Sequence, residues 1–316
     1  MTATSAPGPA GSRPGLSLED LAGDPSRRRN EKIVKGVLLV AASASVFISA
    51  AIIYTLLHDA LGFLTSIELS SLNDDVWLPR QGRFGVMSPV LGTLWVTLVA
   101  TLVAGPIGLG AAVYLSEYAN PRVRRIVKPI IEVLASIPSV VVGYFAIQFI
   151  SPEITQRLFD GSPAKNLMVA GLGVGLLTIP LMTSVSEDAL RAVPNALREA
   201  SYGLGARKVT TVVRVVIPAA VSGLVAGLIL SISRAIGETM VVFLAGGGVG
   251  TRPTSPLDAG TTITAAMASV ASGTDNVAGV GSAFQSIFFL GLLLFVITLS
   301  LNLVADRFVR RVRQTY

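Results

Sequence analysis

Arg234 and Glu238 are the residues of this chain whose type and spacing point most directly to chemistry. They stand in the apolar stretch LILSISRAIGETMVVFLAG, and no other lysine or arginine lies inside an apolar span. An arginine at the centre of a membrane helix costs about 2.5–3.5 kcal/mol on insertion scales, so it belongs in a protein interior or a polar cavity with a partner. On a continuous helix the i, i+4 spacing supplies Glu238 as that partner. A guanidinium fork also suits the paired oxygens of an oxyanion, with Glu238 holding the fork or neutralising it when no anion is bound. The plainer alternative is an ion pair that only fixes helix packing. Thr239, Ser139 and Ser136 are weaker candidates for the same pathway, because hydroxyls within spans commonly bond to a neighbouring helix.

The elements that must position these residues follow from composition. Of the 316 residues 51% are hydrophobic and only 14% charged, and the apolar residues fall in blocks long enough to cross about 30 Å of hydrocarbon as helices. The expected fold is an all-α integral membrane protein with spans at about 36–57, 88–115, 128–150, 166–185, 218–245 and 284–305. Residues 1–35, rich in Pro, Gly, Ser and Arg, are expected to form a disordered tail. Residues 58–87 form an extracytoplasmic loop, 88–305 the core with a cytoplasmic segment at 186–217, and 306–316 a cytoplasmic C-terminal tail. With both termini cytoplasmic and Lys128 at the start of the third span counted inside, nineteen of the twenty-five lysines and arginines lie inside, five outside, and Arg234 is the remaining one. That asymmetry is the positive-inside pattern of a multi-pass protein of the plasma membrane.

The same composition excludes other classes. The pI near 9.9 reflects basic residues at span ends, which face membrane lipid, and not a nucleic-acid surface. With no cysteine and one histidine, His58, neither thiol chemistry nor a His/Cys metal site is expected. The glycine run Gly246–Gly250 lacks the lysine of a nucleotide-cradling loop and reads as a flexible connection, so this chain is expected to bind no cofactor. Prolines interrupt the spans at Pro106, Pro138 and Pro180. Small residues, among them Gly171, Gly173, Gly175, Gly223 and Gly227, suit close helix packing.

The longest cytoplasmic segment carries REASYGLGARKVTTVVRVVIP from Arg198 to Pro218. Val209, Val212, Val213 and Val216 form one stripe on a helical wheel, with Arg207 and Arg214 opposite. Such a helix lies on a membrane surface or fills a partner's groove, and periodicity does not choose between them.

This segment resembles the EAA loop of ABC-importer permeases. Glu199, Ala200, Gly205 and Pro218 match that pattern at its spacing, while Ser201 stands for its second alanine, Val215 for an isoleucine and Ile217 for a leucine. RAIGETM at 234–240, FGVMSPVLGTLWVT at 84–97, YLSEYA at 114–119 and EVLASIPSVVVG at 132–143 are similar to the PstC-type permeases of phosphate importers. The resemblance implies a MetI-like type I permease with six transmembrane helices, and a loop whose residues Glu199, Ala200, Ser201, Gly205 and Pro218 couple it to a cytoplasmic ATPase. It implies as partners a homologous PstA-type permease, a PstB-type ATPase dimer that uses ATP and Mg, and an extracytoplasmic PstS-type phosphate-binding protein. Arg234 would then face a comparable residue of the partner permease across a shared phosphate pathway. A permease for sulfate or molybdate is the nearest rival. An ion-coupled carrier using Glu238 to move protons, or a membrane scaffold, would leave the 198–218 motif unexplained.

Overall fold

The computed structural model describes residues 25–273 and 281–312. The chain divides into two units, residues 1–55 and residues 56–316. Helix α1 spans Pro25–Ser66, opening with a proline, which the first helical turn tolerates. Residues 25–35 are therefore helical, not part of a disordered tail, because the helix formers Arg, Glu and Lys follow Pro25 with no glycine or proline before Gly36. Residues 1–24 of the expected tail lie outside the described residues. Helix α1 also continues past the expected end at 57, and its Phe63 is fully buried.

The expected extracytoplasmic loop then contains a small hairpin, strands β1 (Trp77–Leu78) and β2 (Arg83–Phe84) in antiparallel register. Helix α2 (Met87–Val113) runs on through a wide π-helical turn to Tyr118. Asn120 caps the next helix by accepting from the Val123 N–H at 2.8 Å, with Pro121 in its first turn. This helix, α3 (Pro121–Ala135), is followed after three residues by α4 (Ser139–Phe145), whose helical path widens and reaches Leu158.

The two parts are bent by 89°, so the span expected at 128–150 is broken at the proline that the sequence marks as an interruption. Pro138 supplies the cause: it lacks an N–H, and it pushes Ile137 out of the helical region. Pro106 and Pro180, by contrast, sit inside unbroken helices. Pro180 is buried in α5 (Leu167–Arg191), which packs tightly on α2, and close neighbours hold a helix through a proline; Pro106 is exposed on α2.

Glycines set that contact. A methyl group on Gly171 would meet Val99 at 2.6 Å, and one on Gly175 would meet Val103 at 3.1 Å. Gly223 and Gly227 give α8 (Ile217–Ile236) the same closeness to Ala189 and to Ser186 and Val185 of α5. Before α8 come the short helices α6 (Asn195–Gly203) and α7 (Lys208–Thr211), the latter joined to α8 by a π-helical turn. After it come α9 (Met240–Ala245), α10 (Ile263–Ala271) and α11 (Ser282–Val312). The span expected to be continuous over 218–245 thus stops at Ile236 and resumes at Met240. Five helices are long and apolar enough to cross a membrane, or six with the bent pair taken as one span, among the described residues.

Three apolar clusters hold residues 56–316 together. A central one gathers Val96, Ala100, Val142, Val174 and Val241. An outer one joins Phe63, Trp77, Phe84, Ile263 and Leu290, with Phe63 edge-on to Phe84 at 5.0 Å. A third, Leu190, Val193, Val216, Ala220 and Leu224, underlies the loop between α5 and α8. The glycine run expected to be flexible is pinned: Gly248 N–H donates to the Gly260 carbonyl, Gly260 N–H to that of Gly246, and Trp77 N–H to that of Gly250. Gly247 and Gly248 take φ of 97° and 66°, which only glycine adopts without strain.

Candidate functional site

Two helix breaks lie on neighbouring half-helices. Helix α4 begins just after the Ser136-Ile137-Pro138 break, and α9 begins just after Gly237-Glu238-Thr239. They touch at Gly143, where an added methyl would meet the Val241 Cα at 3.1 Å and the Met240 carbonyl at 3.3 Å. Only a residue without a side chain permits this approach, so the two interruptions share one region of the fold.

Arg234 occupies the last turn of α8 and is exposed. The structure contains no ion pair between it and Glu238, which corrects the pairing expected from their spacing. Gly237 ends the helix, so the i, i+4 geometry no longer applies. Glu238 is 8% exposed and caps α9: its Oε1 accepts from the N–H groups of Met240 at 3.2 Å and Val241 at 3.4 Å. A carboxylate there satisfies otherwise orphaned donors. The Thr264 hydroxyl donates to the Glu238 carbonyl at 2.7 Å, tying the break to α10.

The hydroxyls expected near the pathway serve locally. Ser136 donates to the Val133 carbonyl at 2.7 Å, ending α3, and Thr239 reaches the Gly237 carbonyl at 3.4 Å. Ser139 is half-buried at the start of α4. The structure gives no hydrogen bond from Arg234 to any of the three. Arg234 is therefore a cation at a helix break with its donors free, on a face that this chain leaves uncovered.

The coupling segment is built differently. Helix α6 carries Glu199 and Ala200 exposed and Ser201 half-buried, with the Ser201 and Thr211 hydroxyls 2.9 Å apart. Gly205 follows at φ 79°, a left-handed turn that reverses the chain into α7 and that a β-carbon would strain. Pro218 is exposed in the first turn of α8. Leu204, 90% exposed, projects at the tip beside an exposed Tyr202. The valine stripe splits: Val212 and Val216 are buried, while Val209 and Val213 are exposed. The π-helical turn at 212–216 changes the number of residues per turn, so a 3.6-residue wheel misplaces them.

Two charged clusters at this end escaped sequence reasoning. Arg198 donates to Glu117 Oε1 at 2.7 Å and Oε2 at 3.3 Å, and to the carbonyls of Val193 at 2.6 Å and Leu190 at 2.9 Å. It thereby fastens α6 to the end of α2 and the end of α5. The fully buried Glu187 on α5 contacts Arg124 at 2.5 Å and Lys128 at 2.9 Å, both on α3, with Arg191 at 3.9 Å. The sequence signal for the first was the lone acid in YLSEYA amid basic neighbours. Glu187 carried little local signal, since its close partners Arg124 and Lys128 lie some sixty residues earlier and only Arg191 is near in sequence.

Helices long and apolar enough to cross a membrane, with a helix break that bears an exposed arginine, are the parts that a multi-pass membrane transport subunit needs. No three His, Asp or Glu side chains gather as metal ligands among the described residues. The chain belongs to the family of binding-protein-dependent transport system inner membrane components, whose family model matches residues 104–314. It is 32% identical to the "Probable ABC transporter permease protein YqgH" of Bacillus subtilis, over 76% of this chain and 80% of that one. It is 31% identical to the "Phosphate transport system permease protein PstC" of Haemophilus influenzae, over 90% of this chain and 95% of that one. Among solved structures, the MetNI methionine ABC transporter in inward-facing conformations matches 72% of this chain and 95% of its own, with TM-score 0.55 and 24% identity. This structural likeness bears on the fold alone.

Proposed function

We propose that this chain is the PstC-type permease subunit of an ATP-driven phosphate importer, forming with a homologous permease the pathway for inorganic phosphate. The observation that carries the reading is the near full-length likeness to a phosphate permease, 90% of this chain against 95% of the other. Arg234 is the residue assigned to the anion. Removing water from phosphate inside a bilayer is prohibitive unless donors and positive charge replace it, and an exposed, unpaired guanidinium supplies both. Glu238 acts here as the cap that shapes the break, with Thr239, Ser139 and Ser136 as weaker contributors along the path.

The remaining assignments complete the machine. The distribution of lysine and arginine supports cytoplasmic termini in the plasma membrane. Helix α6 and the turn at Gly205 present Glu199, Ala200, Ser201, Tyr202 and Leu204 to a PstB-type ATPase dimer, which binds ATP and Mg; this chain binds neither. A PstA-type permease covers the face bearing Arg234, and a PstS-type binding protein delivers phosphate from outside.

The test is ATP-dependent phosphate uptake in proteoliposomes containing the whole complex, comparing wild type with Arg234→Gln while monitoring assembly and ATPase activity. Uptake is expected to be lost in an assembled complex that still hydrolyses ATP. Normal uptake in that variant would remove Arg234 from the pathway, and a wild-type complex that moves no phosphate would overturn the function itself.

A further inference from the structure

Helix α2 touches the coupling segment at one end and the helix break at the other. The turn that extends it, Tyr114–Tyr118, is π-helical, with the Ala119 N–H donating to the Tyr114 carbonyl at 2.8 Å, and wide turns of this kind are frequent at functional sites. Two groups of the coupling segment grip it. Arg198 of α6 donates to both oxygens of Glu117, and Lys208 of α7 stands 4.8 Å from the centre of the Tyr118 ring. Arg198 also holds the carbonyls of Leu190 and Val193 at the end of α5. Movement of α6 is therefore passed to α2 and α5 together, because both side chains of the Arg198–Glu117 pair are largely buried and separating them is costly.

The far end is tied just as closely. Thr93 of α2 is buried and its hydroxyl accepts from the Ile263 N–H at 3.0 Å, while a methyl on Gly92 would collide with the Thr261 carbonyl. One residue on, the Thr264 hydroxyl donates to the Glu238 carbonyl at 2.7 Å. Glu238 lies in the interruption between α8 and α9, and a few residues at the ends of elements are where hinges form. Between Thr93 and Glu117 the helix rises about 36 Å, unbroken and backed by α5 through the contacts at Gly171 and Gly175. Close-packed interiors compress little and transmit strain, so a shift at Glu117 arrives at Thr93 with little loss.

We infer that α2 is the strut that carries movement of the coupling segment to the break beside Arg234, with Glu117 and Arg198 as its near joint and Thr93 as its far joint. The inference rests on the proposed function for the ATPase as the source of that movement. A shift of α2 reaches Glu238 through Ile263 and Thr264, and it tilts α9 against α8 at Gly237–Thr239. Arg234, in the last turn of α8, is then presented to the pathway differently with and without nucleotide. Thr93 is a positioning residue, which touches no anion and acts through the break. Coupling over such distances is carried by rigid helices and hydrogen-bond networks with two discrete arrangements.

The chain has no cysteine, so Thr239→Cys places its one thiol at the break. In the whole complex in detergent, the rate at which a small maleimide labels this chain is measured without nucleotide and with a non-hydrolysable ATP analogue. The expected result is a change of at least about fivefold on adding the analogue. Thr93→Val, which keeps the shape and removes the acceptor, is expected to abolish that change, and Thr93→Ser to keep it. Glu117→Ala is expected to abolish it from the other end; thermal unfolding checks each variant, and the Thr93 pair carries the comparison if Glu117→Ala does not fold. With Thr239 restored, Thr93→Val complexes in proteoliposomes are expected to hydrolyse ATP while moving at least about fivefold less phosphate per ATP, with Thr93→Ser close to wild type. The strut is overturned by a complex that hydrolyses ATP but labels alike with and without the analogue. It is equally overturned by a change that survives Thr93→Val or a folded Glu117→Ala, or by equal losses in Thr93→Val and Thr93→Ser. A complex whose thiol responds to the analogue in this Thr93-dependent way while it moves no phosphate sinks the proposed function and leaves the strut standing.

Discussion

Arg198 and Arg234 are the same residue used in opposite ways. Arg198 is surrounded: Glu117 and the carbonyls of Val193 and Leu190 accept hydrogen bonds from its N–H groups, and its side chain is 14% exposed. Arg234 ends a helix with no ion pair and an open face. The first arrangement stores the charge as structure, since a buried ion pair holds elements in register and becomes costly when one partner is lost. The second leaves the charge available to something not yet bound. The difference separates the end of the molecule around α6, where charges are paired, from the broken helices, where the proposed pathway requires a charge that can exchange partners.

The comparison breaks most readily at the paired end. Glu187→Ala, which leaves Arg124 and Lys128 without their buried carboxylate, is expected to destabilise the purified protein by about 3–5 kcal/mol, read as a lowered midpoint in thermal unfolding. An unchanged midpoint would mean the cluster is not structural. Arg234→Gln should do the reverse: unfolding within about 0.5 kcal/mol of wild type, with phosphate uptake down roughly 100-fold. Gly205→Ala, which forces a β-carbon into the left-handed region, should cost about 1–2 kcal/mol locally and reduce co-purification of the ATPase. Leu204→Ala should leave stability untouched and weaken that association about tenfold, which would sharpen the distinction between tip and latch.

The smallest effect is at Asp258. Partial burial pushes its carboxyl up, but the N–H groups of Ser255 and Thr254 and the Thr254 hydroxyl outweigh this and hold it below the usual carboxylate range. A carboxyl depressed in the folded state contributes stability that is present above the unfolded value and lost as pH falls through the folded one. Unfolding midpoints measured from pH 7 down to pH 3 should therefore fall below about pH 4, and Asp258→Asn should remove that part, within about 2 °C.

What the chain discloses without its fold depends on distance along it. Apolar runs mark spans because a helix in lipid satisfies its own backbone groups, and the loop at Glu199–Gly205 is marked by residues close in sequence. Pro138 also announces a break through covalent chemistry. Gly237 does not, since glycine inside an apolar run is compatible with a continuing helix, and only the capping by Glu238 and the bond from Thr264 decide the matter. Glu187 with Arg124 and Lys128 depends on contacts between distant elements, and no local pattern encodes those. The π-helical turns at 114–118 and 212–216 likewise shift side chains off any regular wheel.

The open face at Arg234 also bears on how the subunit is made. In the proposed assembly a newly inserted copy carries an uncompensated charge until the partner permease covers it, so an unpaired copy is a poor resident of the bilayer. Lateral association removes that penalty at the moment the complex forms.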